Sequence, residues 1–397
     1  MRKLWLISFM TLALTAMVVQ ADTTQELAAS SGETLEFDLN TGGDIKVIGW
    51  DRESASVTTE VTGRDAAKVQ VKVERTSNGI EISTPSFRHE RVRVSVKVRV
   101  QVPTRFNVKV NTTGGDVELG NLDGSFTGAT MGGDMDLHDL TGDADLSTMG
   151  GDIDVRDSAL DGEVSTMGGD VTFDTLSGSL DGSTMGGDIT QRNVTRGGAD
   201  GKAVTISSHG GDVEVDVAMS GASVKTMGGD IHVNRVADHL EAETMGGDII
   251  IREAEGETNI STMGGDIEVG SFDGSIKAVT MGGDVDVNVV GINVGSDHDI
   301  DLRSMGGDLL VELPAGFSGR FQIELVKLRK HENKARIESD FPLDINEPAE
   351  WTPKGERTNG NRYGDAYKII TATGTVGSGD HLVKLETVGG LISIKDN

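Results

Sequence analysis

Apolar and polar residues alternate in short bursts along most of this chain, and glycine-rich turns separate the bursts. Ile153 and Val155 flank Asp154, Ile231 and Val233 flank His232, and Ile267 and Val269 flank Glu268. A period of two predicts strands with one buried and one wet face. A second apolar pair follows further on, as in Ala144 and Leu146 or Ile276 and Ala278. Between the pairs Gly124, Gly142 and Gly178 mark a turn. Helix-period stripes are absent.

The bursts are in step with a repeated Gly-Gly-Asp triplet, whose aspartates are Asp44, Asp116, Asp134, Asp152, Asp170, Asp188, Asp212, Asp230, Asp248, Asp266, Asp284 and Asp308. From Asp116 the spacing is 18 four times and then 24, and that sequence of spacings repeats once. Self-similarity at a fixed period predicts a solenoid. Here a five-coil block is duplicated, and one enlarged coil closes each block. The expected fold is all-β: a single-stranded β-solenoid, or β-helix, with 18-residue coils, flanked by N-terminal β-strands and a C-terminal β cap. Coils pairing in register lie about 4.8 Å apart, so roughly eleven of them make a rod of about 50 Å. One coil is too thin to fold alone and is stable only against its neighbours. The expected divisions are a signal peptide at 1–21, an N-terminal β region at 22–110 capping the solenoid, repeats at 111–315, and a cap with a Pro/Gly-rich loop at 316–397.

The glycine pair belongs at a corner. The aspartate after it is placed to accept hydrogen bonds from the corner's own N–H groups. Stacked carboxylates repel by about 0.9 kcal/mol at the dielectric of water and about 3.5 at an effective 20, so a shared divalent cation, calcium, is the alternative. Calcium-binding nonapeptides use Gly-Gly-x-Gly-x-Asp, however, and the inner glycine is missing here. Nine methionines precede the glycine pair, among them Met131, Met149, Met167 and Met245. The expectation is a core row inside the corner; a stack of thioethers ligating copper(I) is the alternative. The column of Thr148, Thr166 and Thr184 is expected to bond to its equivalents above and below.

Before the repeats, Leu35 to Leu39 and Val69 to Val73 alternate as strands. Arg91 to Val100, RVRVSVKVRV, puts valine on one face and mostly cations on the other. That basic strip either is a solvated face or meets an acidic coil. Near the C terminus, Val388-Gly389-Gly390-Leu391 reads as the triplet with its aspartate replaced, the final coil capping the rod.

Composition adds compartment and charge. Arg2 and Lys3 precede an apolar run from Leu4 to Val19, and Val19-Gln20-Ala21 has the form of a signal-peptidase site. Cleavage after Ala21 would leave 376 of 397 residues and take the formal charge from −28 to −30. Export follows, to periplasm, cell surface or medium, with no membrane insertion after signal removal. Such acidity argues against nucleic acid and anionic membranes as partners. There is no cysteine, so stacking rather than disulfides must supply cohesion.

No catalytic, cofactor-binding or metal site is assigned. The repeat spreads its acids evenly, and no nucleophile elbow, zinc-protease motif or phosphate loop occurs. The enlarged coils, Asn193 to Val204 and Val290 to Ile300, would leave the same side of the rod about 24 Å apart. Arg192, Arg196 and Lys202 in the first, and Asp297, His298 and Asp299 in the second, are the residues to test there.

The chain resembles bacterial exported "putative adhesin" proteins built on a domain of unknown function. The residues carrying the resemblance are TGGDIKVIGWD, VPTRFNVKVNTTGGDVELGNLDG, the GGDI-type coils, LPAGF, ESDFPL and the closing LETVGGLISI. The resemblance implies an exported β-helical solenoid. The functional expectation is a non-catalytic, adhesin-like binding protein with an unknown protein or glycan surface ligand. The alternative is a self-associating structural scaffold of the envelope or periplasm.

Overall fold

A computed structural model of the chain describes residues 23–87, 92–194, 204–291, 298–355, 357–358 and 361–397. The signal segment, Arg91, Arg196, Lys202 and Asp297 lie outside the described residues. Thirty strands join one sheet that winds as a stack of parallel coils. Met135–Thr148 pairs with Ile153–Thr166, with Met135 opposite Ile153 and Thr148 opposite Thr166. Each residue thus lies beside the one eighteen positions on. The enlarged coil does not disturb this: Gly182 lies opposite Ile206 and Ile189 opposite Val213, a step of 24 in both strands.

The period-two pattern puts Ile153, Val155, Ile231, Ile267 and Val285 inside, all essentially inaccessible to solvent. Each such side chain contributes roughly 1.5–3 kcal/mol by leaving water. Phe37, Phe126, Phe173, Phe272 and Phe321 are fully buried along the length of the stack. A second corner follows the first strand of each early coil. There Asn121, Asp139, Asp157, Thr175 and Asn193 have φ between 51° and 56°, left-handed values that asparagine and aspartate bear best. Their equivalents in the second block, such as Arg235 and Glu253, stay in the parallel ladder.

Both ends depart from simple winding. The coil of Thr34–Leu39 and Asp44–Trp50 does not lie outermost. It is held between Asn107–Thr112 and the start of Val117–Thr130 on one side and Gly79–Thr84 and Ser95–Pro103 on the other. The far end repeats the arrangement. His381–Val388 and Leu391–Asp396 fit between the coil of Ile300–Ser304 and Leu309–Leu313 and the strands Gly319–Leu328 and Arg336–Ser339. The Gly389-Gly390 segment is thus a coil, as expected, but it is the second layer from the end rather than the cap. Antiparallel strands close the outside: Ser54–Thr62 on Ser95–Pro103, and Tyr367–Val376 on Gly319–Leu328. Antiparallel cover of this kind blunts the ends that a parallel stack would otherwise offer to other chains. The basic strip lies on the N-terminal end layer, where Lys97 sits 3.6 Å from Asp44 while Arg93 and Arg99 face solvent.

Candidate binding face

The Thr-Met-Gly-Gly-Asp corner is built from five columns with different duties. The threonine column is buried, and its hydroxyls do not bond to one another. Thr166 Oγ1 donates to the carbonyl of Gly151 in the preceding coil at 2.8 Å and accepts from its own Gly169 N–H at 3.2 Å. Ser208 does the same with Gly187 and Gly211. A hydroxyl so placed ties two corners together, where a threonine-to-threonine ladder would leave the carbonyls unserved.

The methionines are not in the core. Met131, Met149, Met167 and Met185, then Met227, Met245, Met263, Met281 and Met305, are exposed by between 44% for Met245 and 62% for Met305. The inward alternation breaks here, because buried threonine is followed by two outward residues, methionine and the first glycine, before the second glycine turns in. In one coil His209 takes the methionine's place. The backbone holds the column in register: Met149, Met167, Met185, His209 and Met305 each donate N–H to the threonine carbonyl of the preceding coil at 3.2–3.3 Å.

The two glycines differ in kind. A Cβ on Gly187 would lie 2.1 Å from the carbonyl oxygen of Gly169, and the same approach recurs at Gly151, Gly211 and Gly247. Only glycine fits there. A Cβ on Gly186 would meet nothing closer than 3.6 Å, and around Gly132 it would meet nothing within 4 Å. The φ of neither residue is left-handed. Packing therefore demands the second glycine and leaves the first free, yet each repeat carries both. The result is a bare floor beside a raised column of thioethers.

The aspartates form the far border. Each carboxylate accepts not from its own corner but from the aspartate N–H of the next coil, as in Asp170 to Asp152 Oδ1 at 2.8 Å. The last of them, Asp308, receives Leu391 N–H at 2.8 Å and Lys334 Nζ at 3.1 Å. Beyond the corner, the wet strand face carries exposed pairs such as Lys46–Glu118 and Arg156–Asp136, each at 2.6 Å. Burial pushes Glu118 upward, but the hydrogen bond and charge of Lys46, with His138 beside it, hold its carboxyl below the usual range. A shallow open groove of about 580 Å³ on this face gathers Asp188, Asp212, Glu214, His232, Asn234 and Arg252. Among the described residues, no three His, Cys, Asp or Glu side chains are grouped to hold a metal ion.

Of the enlarged-coil residues, Arg192 is exposed at the end of Ile189–Arg192. His298 is buried, with Nδ1 3.2 Å from Gly274 O and its ring 5.0 Å from that of His381. Asp299 accepts Leu382 N–H at 2.9 Å. His298 and Asp299 thus join the rod to the inserted C-terminal coil. Periodicity placed the methionine column without its direction. The sign that could have given direction was His209, a polar residue in a column read as core.

A rod of stacked coils with one ornamented corner is a β-solenoid with a repeated surface. Residues 193–335 match the family model Toastrack DUF4097, in keeping with the resemblance drawn from the chain's motifs. Among solved structures the chain is similar to a "putative adhesin" from Parabacteroides distasonis, at 13% identity over 66% of this chain and 97% of that one, with a TM-score of 0.29. It is also similar to a "putative cell adhesion protein" from Clostridium sporogenes, at 10% identity over 95% and 100%, TM-score 0.19. A third is a "putative lipid binding protein" from Parabacteroides distasonis, at 11% over 68% and 97%, TM-score 0.26. No curated protein matches the chain. Among the described residues, no helix is long and apolar enough to cross a membrane.

Proposed function

We propose that this chain is an exported, non-catalytic β-solenoid that holds a partner along its methionine corner, an adhesin-like protein whose ligand is a protein or glycan surface. One observation carries the reading: ten successive corners present an exposed methionine or histidine beside a glycine that packing does not require. The methionines stand about half exposed and the first glycine has room for a side chain, so a partner lying on them accounts for both columns. Repetition in register suits an extended partner, because many weak contacts on one rigid rod combine into firm attachment. The antiparallel strands over the end layers weigh against the scaffold alternative of coil-end stacking.

Protease treatment of intact producing cells, with assay of the medium, tests this. Cleavage on whole cells or release outside supports surface binding. Protection until the outer envelope is opened sinks the adhesive role.

A further inference from the structure

The inward column next to the corner is filled interchangeably by Val117, Met135, Ile153, Val213, Ile231 and Leu309, as an apolar environment allows. The exposed corner column is not. Across the ten coils from Met131 to Met305 it holds methionine nine times and histidine once, with Thr113 before them and Val388 after them in the coils that flank the run. A surface needing only apolar area would accept leucine as readily and would reject an imidazole. What methionine and histidine share is a lone pair on a side-chain donor that soft metal ions favour.

We propose that this column binds soft monovalent metal ions, of the copper(I) and silver(I) class, through thioethers of successive coils, with the His209 imidazole as a mixed member. The in-register backbone starts these side chains about 4.8 Å apart. Three rotatable bonds let neighbouring sulfurs converge on one ion. The first-glycine column leaves the space beside them open. The aspartate column three residues on adds negative potential that concentrates cations. Hard ions gain from that potential as well, and thioether softness supplies the selection. The inference goes beyond the adhesive reading and does not depend on it, since it uses the sulfur atoms rather than their apolar area.

The test titrates the full chain with silver nitrate in chloride-free buffer, and with copper(I) kept reduced under argon against a chromophoric chelator. The comparison is a variant with all nine corner methionines, Met131 through Met305, changed to leucine. Wild type is expected to bind several ions per chain with Kd of about 10 µM or tighter, and the leucine variant to bind at least about a hundredfold more weakly, ~2.7 kcal/mol. X-ray absorption should place sulfur in the first shell of bound copper. Should the ninefold variant fold poorly, M227L/M245L/M263L replaces it, with a lowered silver stoichiometry expected. Undiminished binding in the leucine variants, an oxygen-only shell, or wild-type affinity weaker than about 100 µM would overturn the proposal. Because leucine keeps the apolar area, loss of metal with cell attachment retained separates this inference from the adhesive one.

Discussion

The amide N–H of Asp152 donates to Oδ1 of Asp134 at 2.9 Å, and the same bond links Asp188 to Asp170 and Asp248 to Asp230 at 2.8 Å. Each triplet carboxylate serves the coil that follows it. A hydrogen bond to a charged group contributes roughly 1.5–3 kcal/mol. These exposed neighbours repel by only about 0.9 kcal/mol at the dielectric of water. At that dielectric the bond outweighs the repulsion, and the expectation is a ladder that needs no shared cation. Asp170→Ala should therefore lower stability by about 1.5–3 kcal/mol in urea unfolding. Calcium or a chelator should leave the melting temperature of the wild type unchanged; a rise of several degrees with calcium would show that the ladder holds ions.

The glycine pair should separate cleanly under alanine substitution. Gly187→Ala places Cβ against the Gly169 carbonyl and should cost roughly 4 kcal/mol or prevent folding. Gly186→Ala meets only ordinary contacts and should change stability by no more than about 0.5 kcal/mol. Equal losses in the two variants, measured by thermal melts, would mean that the first glycine is structural after all.

Thr166 donates one hydrogen bond to the preceding coil and accepts another from its own corner. Thr166→Val keeps the shape but leaves the Gly151 carbonyl and Gly169 amide without that partner, a cost of about 1–3 kcal/mol. Thr166→Ser should be much milder, because Ser208 and Ser304 already fill the role. Denaturant midpoints of the two variants give the comparison directly.

Asp286 titrates above the ordinary carboxylate range, first because of desolvation and then through the charges of Glu312 and Glu268. A raised folded pKa means that the ionised form costs stability, fully so above that pKa. The cost disappears as pH falls through the folded pKa to the unfolded value. Asp286→Asn should accordingly stabilise the protein at neutral pH and match wild type at a pH below the ordinary aspartate range. A gain that persisted unchanged in acid would assign the effect to something other than charge.

The solenoid was legible because its period, alternation and turn glycines are all local properties of the sequence. The direction of the corner was not. Alternation predicts a side from the residue before, and at Thr148-Met149-Gly150 two residues in succession point outward, so a hydrophobicity argument sends Met149 to the wrong side. The aspartate's partner was misplaced for a related reason: sequence shows the neighbours of Asp134 along the chain, whereas its hydrogen-bond donor is eighteen residues away. The left-handed corner at Asn121, Asp139 and Asp157 had a signal in its asparagine and aspartate residues, but Thr175 at the same position weakened it. Layer order at the ends had none, since nothing local tells Leu391–Asp396 to pair with both Leu309–Leu313 and Arg336–Ser339.

That layer order governs when the molecule can be finished. A chain emerging N terminus first can wind coil upon coil through its middle, but the slot between Ile300–Ser304 and Gly319–Leu328 is filled only by His381–Val388, which is made long after both of its walls. A product halted before those residues keeps two facing rows of unpaired amides and carbonyls, which invite any strand at hand. Closing the rod thus waits on His381–Val388, and a product lacking that strand stays open at this layer.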